Sequence, residues 1–340
     1  MKIAVVGCGG IGGVIAGVLA DGGRTVHCID SVGEAVRVMN ERGLHISGRK
    51  GDFTVPVRAY TDIASSPGPF DLIVLAVKSA ALRAVFEEAS RHLSGRGFIL
   101  TIQNGIEILR ITAEYPDIPV IMGAVGYNSV MTGFGECTVT AEGGITAGVL
   151  NGCSNEDLHL LKELFDPRIV IATTENPEGV LWSKLIIVCG VTGLGGVAGL
   201  RIGKLLKHGT ARKLFYEVVT EGSLLARRLG IKIEKLGGAI NPEKFGTHDR
   251  GYPLFIRYLL LKIVGMKFKN LKSNIHHSLD RGEKTEVGFI NGAVVRAGRE
   301  VNFPTPFNQA IVDIVGEIEE GKRTMSVDNL KVILERTGEE

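Results

Sequence analysis

The spacing of apolar and polar residues along the 340-residue chain changes character about half-way. Through the first half, short apolar runs rich in β-branched residues alternate with stretches of helical period, the rhythm of βαβ units. Ile3 to Val6 is such a run; it empties into Gly7-Cys8-Gly9-Gly10-Ile11-Gly12, and small residues continue to Ala20. Thr25 to Asp30 predicts a second strand, and residues 31–42, with Val32, Ala35, Val36 and Met39 inward, predict a helix. Leu44 to Val57 holds Gly48 and Gly51 between two alternating stretches, the pattern of a β-hairpin. Asp71 to Val77 is apolar enough for a buried parallel strand; it ends at Lys78-Ser79, and a helix follows to about Leu93. Further strands are expected over 97–102, closing in Gln103-Asn104-Gly105, and over 119–122, while residues 136–150 alternate like antiparallel strands.

From Glu175 onward long helical periods replace strands, over 178–200, 210–229 and about 270–298. The boundary falls near Thr173–Pro177, which divides the chain into domains 1–173 and 174–340. The 241–272 segment mixes basic and apolar residues (Arg257-Tyr258-Leu259-Leu260-Leu261-Lys262); a helix packed in its domain with a solvated face is favoured over a membrane-surface helix.

The first turn carries chemistry. In G-x-G-x-x-G between strand and helix, Gly7 makes the turn, Gly9 lets backbone approach a pyrophosphate and Gly12 lets the helix pack close. The helix start at Gly10 and Ile11 adds free N–H groups and a positive dipole end. Asp30, 18 residues beyond Gly12, lies where an adenosine ribose is held. Right-handed crossovers place the ends of the parallel strands on one edge, so the glycine loop, Asp30, Lys78 and Asn104 are expected at one crevice. The fold class read from this is α/β: an N-terminal Rossmann dinucleotide-binding domain followed by a mostly α-helical C-terminal domain.

Composition narrows the alternatives. Hydrophobic residues make up 44% and charged residues 22%, enough for a core in each of two domains. The net charge of +2 is dispersed, so no nucleic-acid partner is expected. Residues 3–20 carry no charge, but six of these 18 are glycine and Asp21-Gly22-Gly23 is a turn, which argues against a membrane span or an export signal. Five cysteines without C-x-x-C suit the buried thiols of a cytoplasmic protein, and adjacent His276-His277 point about 100° apart on a helix, so no metal is expected.

Two charges in the helical half stand out. Lys184 precedes 16 uncharged residues, so it either snorkels to a helix end or is held where its proton is useful. Glu286 opens another apolar stretch, where an acid in the first turn of a helix is the commoner reading.

Together these residues resemble the ketopantoate reductase (2-dehydropantoate 2-reductase) family over nearly the whole length. The resemblance rests on the N-terminal G-x-G-x-x-G, Ala-Val-Lys78-Ser, Gln-Asn104-Gly, Leu-Trp-x-Lys184-Leu, Thr-Glu286-Val-x-x-Ile-Asn-Gly and Pro304-Thr305-Pro306-Phe307-Asn308. It implies hydride transfer from a nicotinamide to a 2-keto acid, with Lys184 as general acid, Asn104 and Lys78 at the cofactor–substrate junction, and Glu286 positioning the nicotinamide end. It also implies substrate contacts four and eight residues after the lysine, where the family's asparagines are here Val188 and Thr192, and at a serine that aligns with Asn274, beside Ser273. An aspartate two residues after the glutamate has become Gly288.

These departures leave ketopantoate and another 2-keto or 3-hydroxy acid both open as substrate. A non-catalytic dinucleotide sensor is disfavoured, since it would not need Lys184, Asn104 and Glu286. Family members typically prefer NADPH through a basic residue after the second strand. Here Asp30-Ser31-Val32-Gly33-Glu34 offers none before Arg37, so NAD(H) is expected over NADP(H). A homodimer is expected from the family and from the apolar helical half.

Overall fold

The computed structural model describes residues 1–165, 167–234, 240–246 and 251–338. The chain divides into two compact units, Met1–Gln103 with Ile108–Pro177, and Asn104–Glu107 with Glu178–Glu340. The short stretch 104–107 therefore packs with the helical unit although its neighbours in sequence belong to the other.

The first unit is built from β1 (Lys2–Val6), α1 (Gly10–Asp21), β2 (Thr25–Ile29), α2 (Gly33–Arg42), β3 (Leu44–Gly48), β4 (Phe53–Val55), β5 (Arg58–Tyr60), β6 (Phe70–Leu75), α3 (Leu82–Ser90), β7 (Leu93–Thr101), α4 (Glu107–Glu114, its first residue counted with the second unit), β8 (Val120–Val125), β9 (Asn128–Gly133), β10 (Glu136–Ala141), β11 (Ile145–Asn151), α5 (Asn155–Phe165) and β12 (Ile171–Thr173). Among the described residues the main sheet has the order β12-β11-β8-β7-β6-β1-β2-β5, and a second sheet the order β4-β3-β10-β9. The run β5-β2-β1-β6-β7-β8 is parallel throughout, a doubly wound arrangement whose order reverses between β1 and β6. The hairpin expected over 44–57 is β3 and β4, antiparallel in the second sheet.

Residues 136–150 do hold two strands, but they are not partners. β10 pairs β9 antiparallel and β3 parallel, whereas β11 crosses to the main sheet and pairs β8 antiparallel. Alternation reports a half-buried face and carries no information on which strand lies alongside.

Helix α1 lies between the two sheets, which explains its glycines. A Cβ on Gly12 would stand 1.9 Å from the Gly7 carbonyl oxygen on the β1 side. On the other side, Cβ atoms on Gly10, Gly13 and Gly17 would meet the Ser129 carbonyl oxygen at 3.1 Å, Cys137 Sγ at 2.7 Å and Ile46 Cγ1 at 2.5 Å.

The second unit holds α6 (Pro177–Val188, beginning one residue before the division), a π turn (Cys189–Gly193), α7 (Leu194–Ala198), α8 (Ile202–Leu205), α9 (Gly209–Arg228), α10 (Pro242–Phe245), α11 (Leu254–Lys267), α12 (Asn274–Asp280), a 3₁₀ turn (Val287–Phe289), α13 (Asn291–Glu300), α14 (Pro306–Glu319) and α15 (Asn329–Thr337). The π turn, α10, α13, α14 and α15 all pack on α9. The span Pro177–Ala198 is long and apolar enough to cross a membrane (mean hydropathy 1.8), yet 72% of its most apolar window is buried inside the protein, as a core helix would be.

The helix expected over 270–298 is two. α12 stops where Gly282 adopts φ +65°, with Gly282 and Glu283 N–H closing on the Leu279 and Ser278 carbonyls, and α13 starts only at Asn291. Glu286 consequently precedes a 3₁₀ turn instead of opening a helix.

Helix α11 also departs from expectation; residues 247–250 of the 241–272 segment lie outside the described residues. Arg257 turns inward, 5% exposed, with its guanidinium 4.6 Å from the centre of the Tyr216 ring. The outward side carries Phe255, Leu259, Ile263 and Met266, so the expected solvated face is largely apolar.

Candidate active site

The β1–α1 turn is shaped by missing side chains. Gly7 sits at φ +89°, and a Cβ there would be 2.9 Å from the Ala76 carbonyl carbon and oxygen, so the turn lies directly on the chain leaving β6. The first helical bond runs from Gly13 N–H to the Gly9 carbonyl at 2.7 Å. The N–H groups of Gly10, Ile11 and Gly12 precede it and have no intrahelical acceptor, and no side chain caps the helix start. A Cβ built on Gly9 meets nothing within 4 Å, so the backbone there borders open space. An uncapped 12-residue helix start beside open space fits a pyrophosphate.

Asp30 follows β2 and is already engaged. Its Oδ2 accepts the Cys8 N–H of the glycine turn and its Oδ1 the Val32 N–H before α2, each at 3.0 Å. The two oxygens keep further lone pairs for other donors. Lys78 lies exposed just beyond β6, at the start of a 3₁₀ turn over Ser79–Ala81. Sequence reasoning missed the tie between Asp30 and the glycine turn, although an acid at a strand end beside a glycine loop signals it.

In the helical unit, Lys184 lies on α6 between the buried Ser183 and Leu185. Its side chain is partly accessible, yet burial alone draws its pKa down from 10.5 to about 8. Val188 ends α6, and the π turn follows at once. The wider i→i+5 turn holds more residues than the ~3.6 of an α-helical turn, which brings Thr192, not Val191, roughly in line with Lys184. The Thr192 hydroxyl donates to the Val188 carbonyl at 2.8 Å, so its proton is committed to the backbone. Ser273, 3% exposed, donates to the Thr192 carbonyl and accepts the His276 N–H, both at 3.2 Å. Both of its hydrogen-bonding directions are thus used inside the unit. Asn274 beside it is exposed, at the first position of α12.

Asn104 and Glu286 belong to elements that touch. Gly105 sits at φ +97°, and a Cβ there would come within 2.8 Å of the Phe289 carbonyl oxygen, three residues after Glu286. Arg296 donates to the Gly288 carbonyl at 2.7 Å and lies 3.8 Å from Glu107 Oε2, and Thr285 N–H donates to Glu319 at 2.8 Å.

One buried acid was not anticipated. Glu221 on α9 is 8% exposed and accepts from the Phe307 N–H (2.6 Å), the Asn308 N–H (2.9 Å) and Asn308 Nδ2 (2.7 Å) at the start of α14. Burial outweighs these bonds and pushes its pKa up to about 7. Asn308 Oδ1 in turn accepts from Asn291 Nδ2 at 2.9 Å, and that nitrogen also reaches the Cys189 carbonyl of the π turn at 3.3 Å. Asn291 Oδ1 is left buried with no donor among the described residues, an arrangement that costs ~1–3 kcal/mol. The readable signal was an acid at an inward position of α9, in step with Leu214, Val218 and Leu225.

Comparison with known proteins places this geometry. Two family models match, "Ketopantoate reductase PanE/ApbA" over residues 3–152 and "Ketopantoate reductase PanE/ApbA C terminal" over 176–319. The chain belongs to the ketopantoate reductase family. Among curated proteins, the 2-dehydropantoate 2-reductase of Pyrococcus horikoshii is 27% identical over 309 residues, covering 91% of this chain and 94% of its own. Among solved structures, a PanE/ApbA family ketopantoate reductase from Ralstonia eutropha JMP134 superposes with a TM-score of 0.80 at 24% identity, over 95% of this chain and 99% of that one. A D-mandelate dehydrogenase solved with NADH and anilino(oxo)acetate gives 0.79 at 19%, over 94% and 99%. The ketopantoate reductase family is one of oxidoreductases, and the Rossmann fold with a helical second unit read from the sequence is its fold.

Proposed function

We propose that this protein reduces a 2-keto acid, ketopantoate or a close relative, to the 2-hydroxy acid, with Lys184 as the proton donor. The observation that carries the reading is Lys184 itself, a half-buried lysine on α6 whose pKa is drawn down to about 8 in a member of an oxidoreductase family. A bound nicotinamide would supply the hydride that the carbonyl carbon receives. As the C=O π bond breaks, the Lys184 ammonium gives its proton to the oxygen and its positive charge offsets the negative charge developing there. The amine then regains a proton from solvent. Asn104, Lys78 and Glu286 are assigned to orienting the reacting ends, and Gly7, Gly9, Gly10, Ile11 and Gly12 to the pyrophosphate. Five free thiols suit work in a reducing cytoplasm.

A second reading concerns the acid. Val188 is apolar and the Thr192 proton is already given to backbone, so neither position offers the donor that an asparagine would. Both favour a keto acid with an apolar side chain. The fold neighbour named as a D-mandelate dehydrogenase is in keeping with such latitude. For the cofactor, the Asp30 carboxylate suits the ribose hydroxyls of NADH and repels a 2′-phosphate. For assembly, the exposed Phe255, Leu259, Ile263 and Met266 of α11 support a homodimer through that face.

Four outcomes test these assignments. For the proton donor, kcat/KM for reduction should fall as pH rises through about 8, where Lys184 loses its proton, while oxidation of the hydroxy acid gains over the same range. Lys184→Ala should lower kcat ~10²–10⁴-fold with NADH binding, read by fluorescence, nearly unchanged; full turnover would remove Lys184 from the chemistry. For the substrate, ketopantoate, 2-ketoisovalerate and phenylglyoxylate are compared with NADH: reduction of none of them defeats the proposal. Preference for either of the last two supports the apolar reading, and Val188→Asn with Thr192→Asn should then raise kcat/KM for ketopantoate by ~10-fold or more.

For the cofactor, NADH should exceed NADPH by at least ~10-fold in kcat/KM. Ser31→Arg, which leaves the Asp30 bonds to Cys8 and Val32 intact, should narrow that ratio; equal use of both cofactors by the wild type would overturn the assignment. For assembly, light scattering should return twice the 36.4 kDa chain mass, and Phe255→Asp with Leu259→Asp should return a single chain. A monomeric wild type refutes it.

A further inference from the structure

We infer that Glu221, Asn308 and Asn291 form a positioning relay that holds the π turn after α6, and that this relay sets which 2-keto acid the Lys184 site accepts. The inference rests on the assignment of Lys184 and of the turn beside it to keto-acid reduction.

The relay is directional. All three bonds at Glu221 are accepted by its oxygens, and the one from the Asn308 amide nitrogen at 2.7 Å turns the Asn308 oxygen away from the carboxyl group. That oxygen accepts from Asn291 Nδ2, which fixes the second amide in turn and aims the same nitrogen at the Cys189 carbonyl. Both asparagines are fully buried, so water offers neither an alternative partner. The chain of bonds thus runs from α9, through the starts of α14 and α13, into the π turn.

The turn is shaped to receive it. A Cβ on Gly193 would lie 2.7 Å from Asn291 Oδ1, and one on Gly190 2.7 Å from the Phe215 ring. A five-residue turn leaves carbonyls without their usual i+4 amides. Here the Val188 carbonyl takes the Thr192 hydroxyl, the Cys189 carbonyl takes Asn291 and the Thr192 carbonyl takes Ser273. Release of the Asn291 bond removes the clamp at the middle of this set. Relaxation to an ordinary α turn would rotate Thr192 out of line with Lys184 and bring Val191 toward it. The orphaned Asn291 oxygen is consistent with this: with the nitrogen committed to Asn308 and Cys189, the oxygen is turned toward Gly193, where no described donor meets it.

The test compares the wild type with Asn291→Asp, which keeps volume but loses the donor, and with Glu221→Gln, which loses the charge. A third variant, Glu221→Gln with Asn308→Asp, moves the carboxylate one step along and restores an acceptor for Asn291. Asn291→Asp and Glu221→Gln should lower kcat/KM for the preferred keto acid ~10–100-fold. They should also change the ratio of ketopantoate to 2-ketoisovalerate turnover by at least ~10-fold, with the NADH dissociation constant unchanged.

The double variant should return that ratio toward wild type. Independently of activity, hydrogen exchange followed by mass spectrometry should quicken in the peptide spanning 186–194 more than in α9 or α14. An unchanged ratio together with uniformly faster exchange would show a merely structural network and overturn the relay. A wild type that reduces no keto acid would instead defeat the functional proposal, and unchanged exchange at 186–194 would overturn the clamp by itself.

Discussion

The tightest constraint in the first unit is the approach of α1 to the ends of β1 and β6. With 1.9 Å between a hypothetical Gly12 Cβ and the Gly7 oxygen, any side chain at position 12 would push the helix off the sheet. Three more glycines on the opposite side of α1 admit the second sheet at comparable range. Because the helix cannot shift toward either layer, its uncapped start is held where the strand order reverses. Asp30 extends the same constraint: by accepting the Cys8 and Val32 amides it ties the ends of β1 and β2 to one carboxylate.

That part of the molecule was legible because its rules are local. A glycine that must avoid a carbonyl, an acid at a strand end and an apolar run of strand length each announce themselves within a few residues. The second sheet was half legible. Its hairpin came from alternation and glycine, while the pairing of β10 with β3 joins residues about 90 apart, and no short-range pattern reports that.

In the helical unit the limits are sharper. Period alone merged α12, the 3₁₀ turn and α13, since Gly282 is a weak signal until its left-handed conformation is seen. It also ran straight through the π turn, where an inserted residue changes which side chains face Lys184 without disturbing the apolar composition. Asn291 and Asn308 were visible within family-like motifs, but their roles depend on Glu221, 87 residues away from the Asn308 amide it accepts. Buried polar networks are assembled from distant segments, so a motif read alone shows the member and not the partner.

Two ionisable groups of opposite sign show what the apolar surroundings of this unit do to a charge. Lys184 and Glu221 are both shifted toward neutrality by burial, to about 8 and about 7, and they differ in what accompanies them. Glu221 receives three N–H bonds, as a structural carboxylate should. For Lys184, burial is the cause of the shift. Below pH 8 it is protonated in both the folded and the unfolded chain, and folding then carries a penalty of up to ~3 kcal/mol, less where solvent reaches the group. The penalty fades as pH rises from 8 toward 10.5, the range in which the folded protein alone has released the proton. A chain gains nothing in stability from such a lysine, whereas an acid whose pKa lies near neutrality transfers protons efficiently. The apolar length of Pro177–Ala198, which by composition would suit a membrane, is thus the environment that lowers the lysine's pKa.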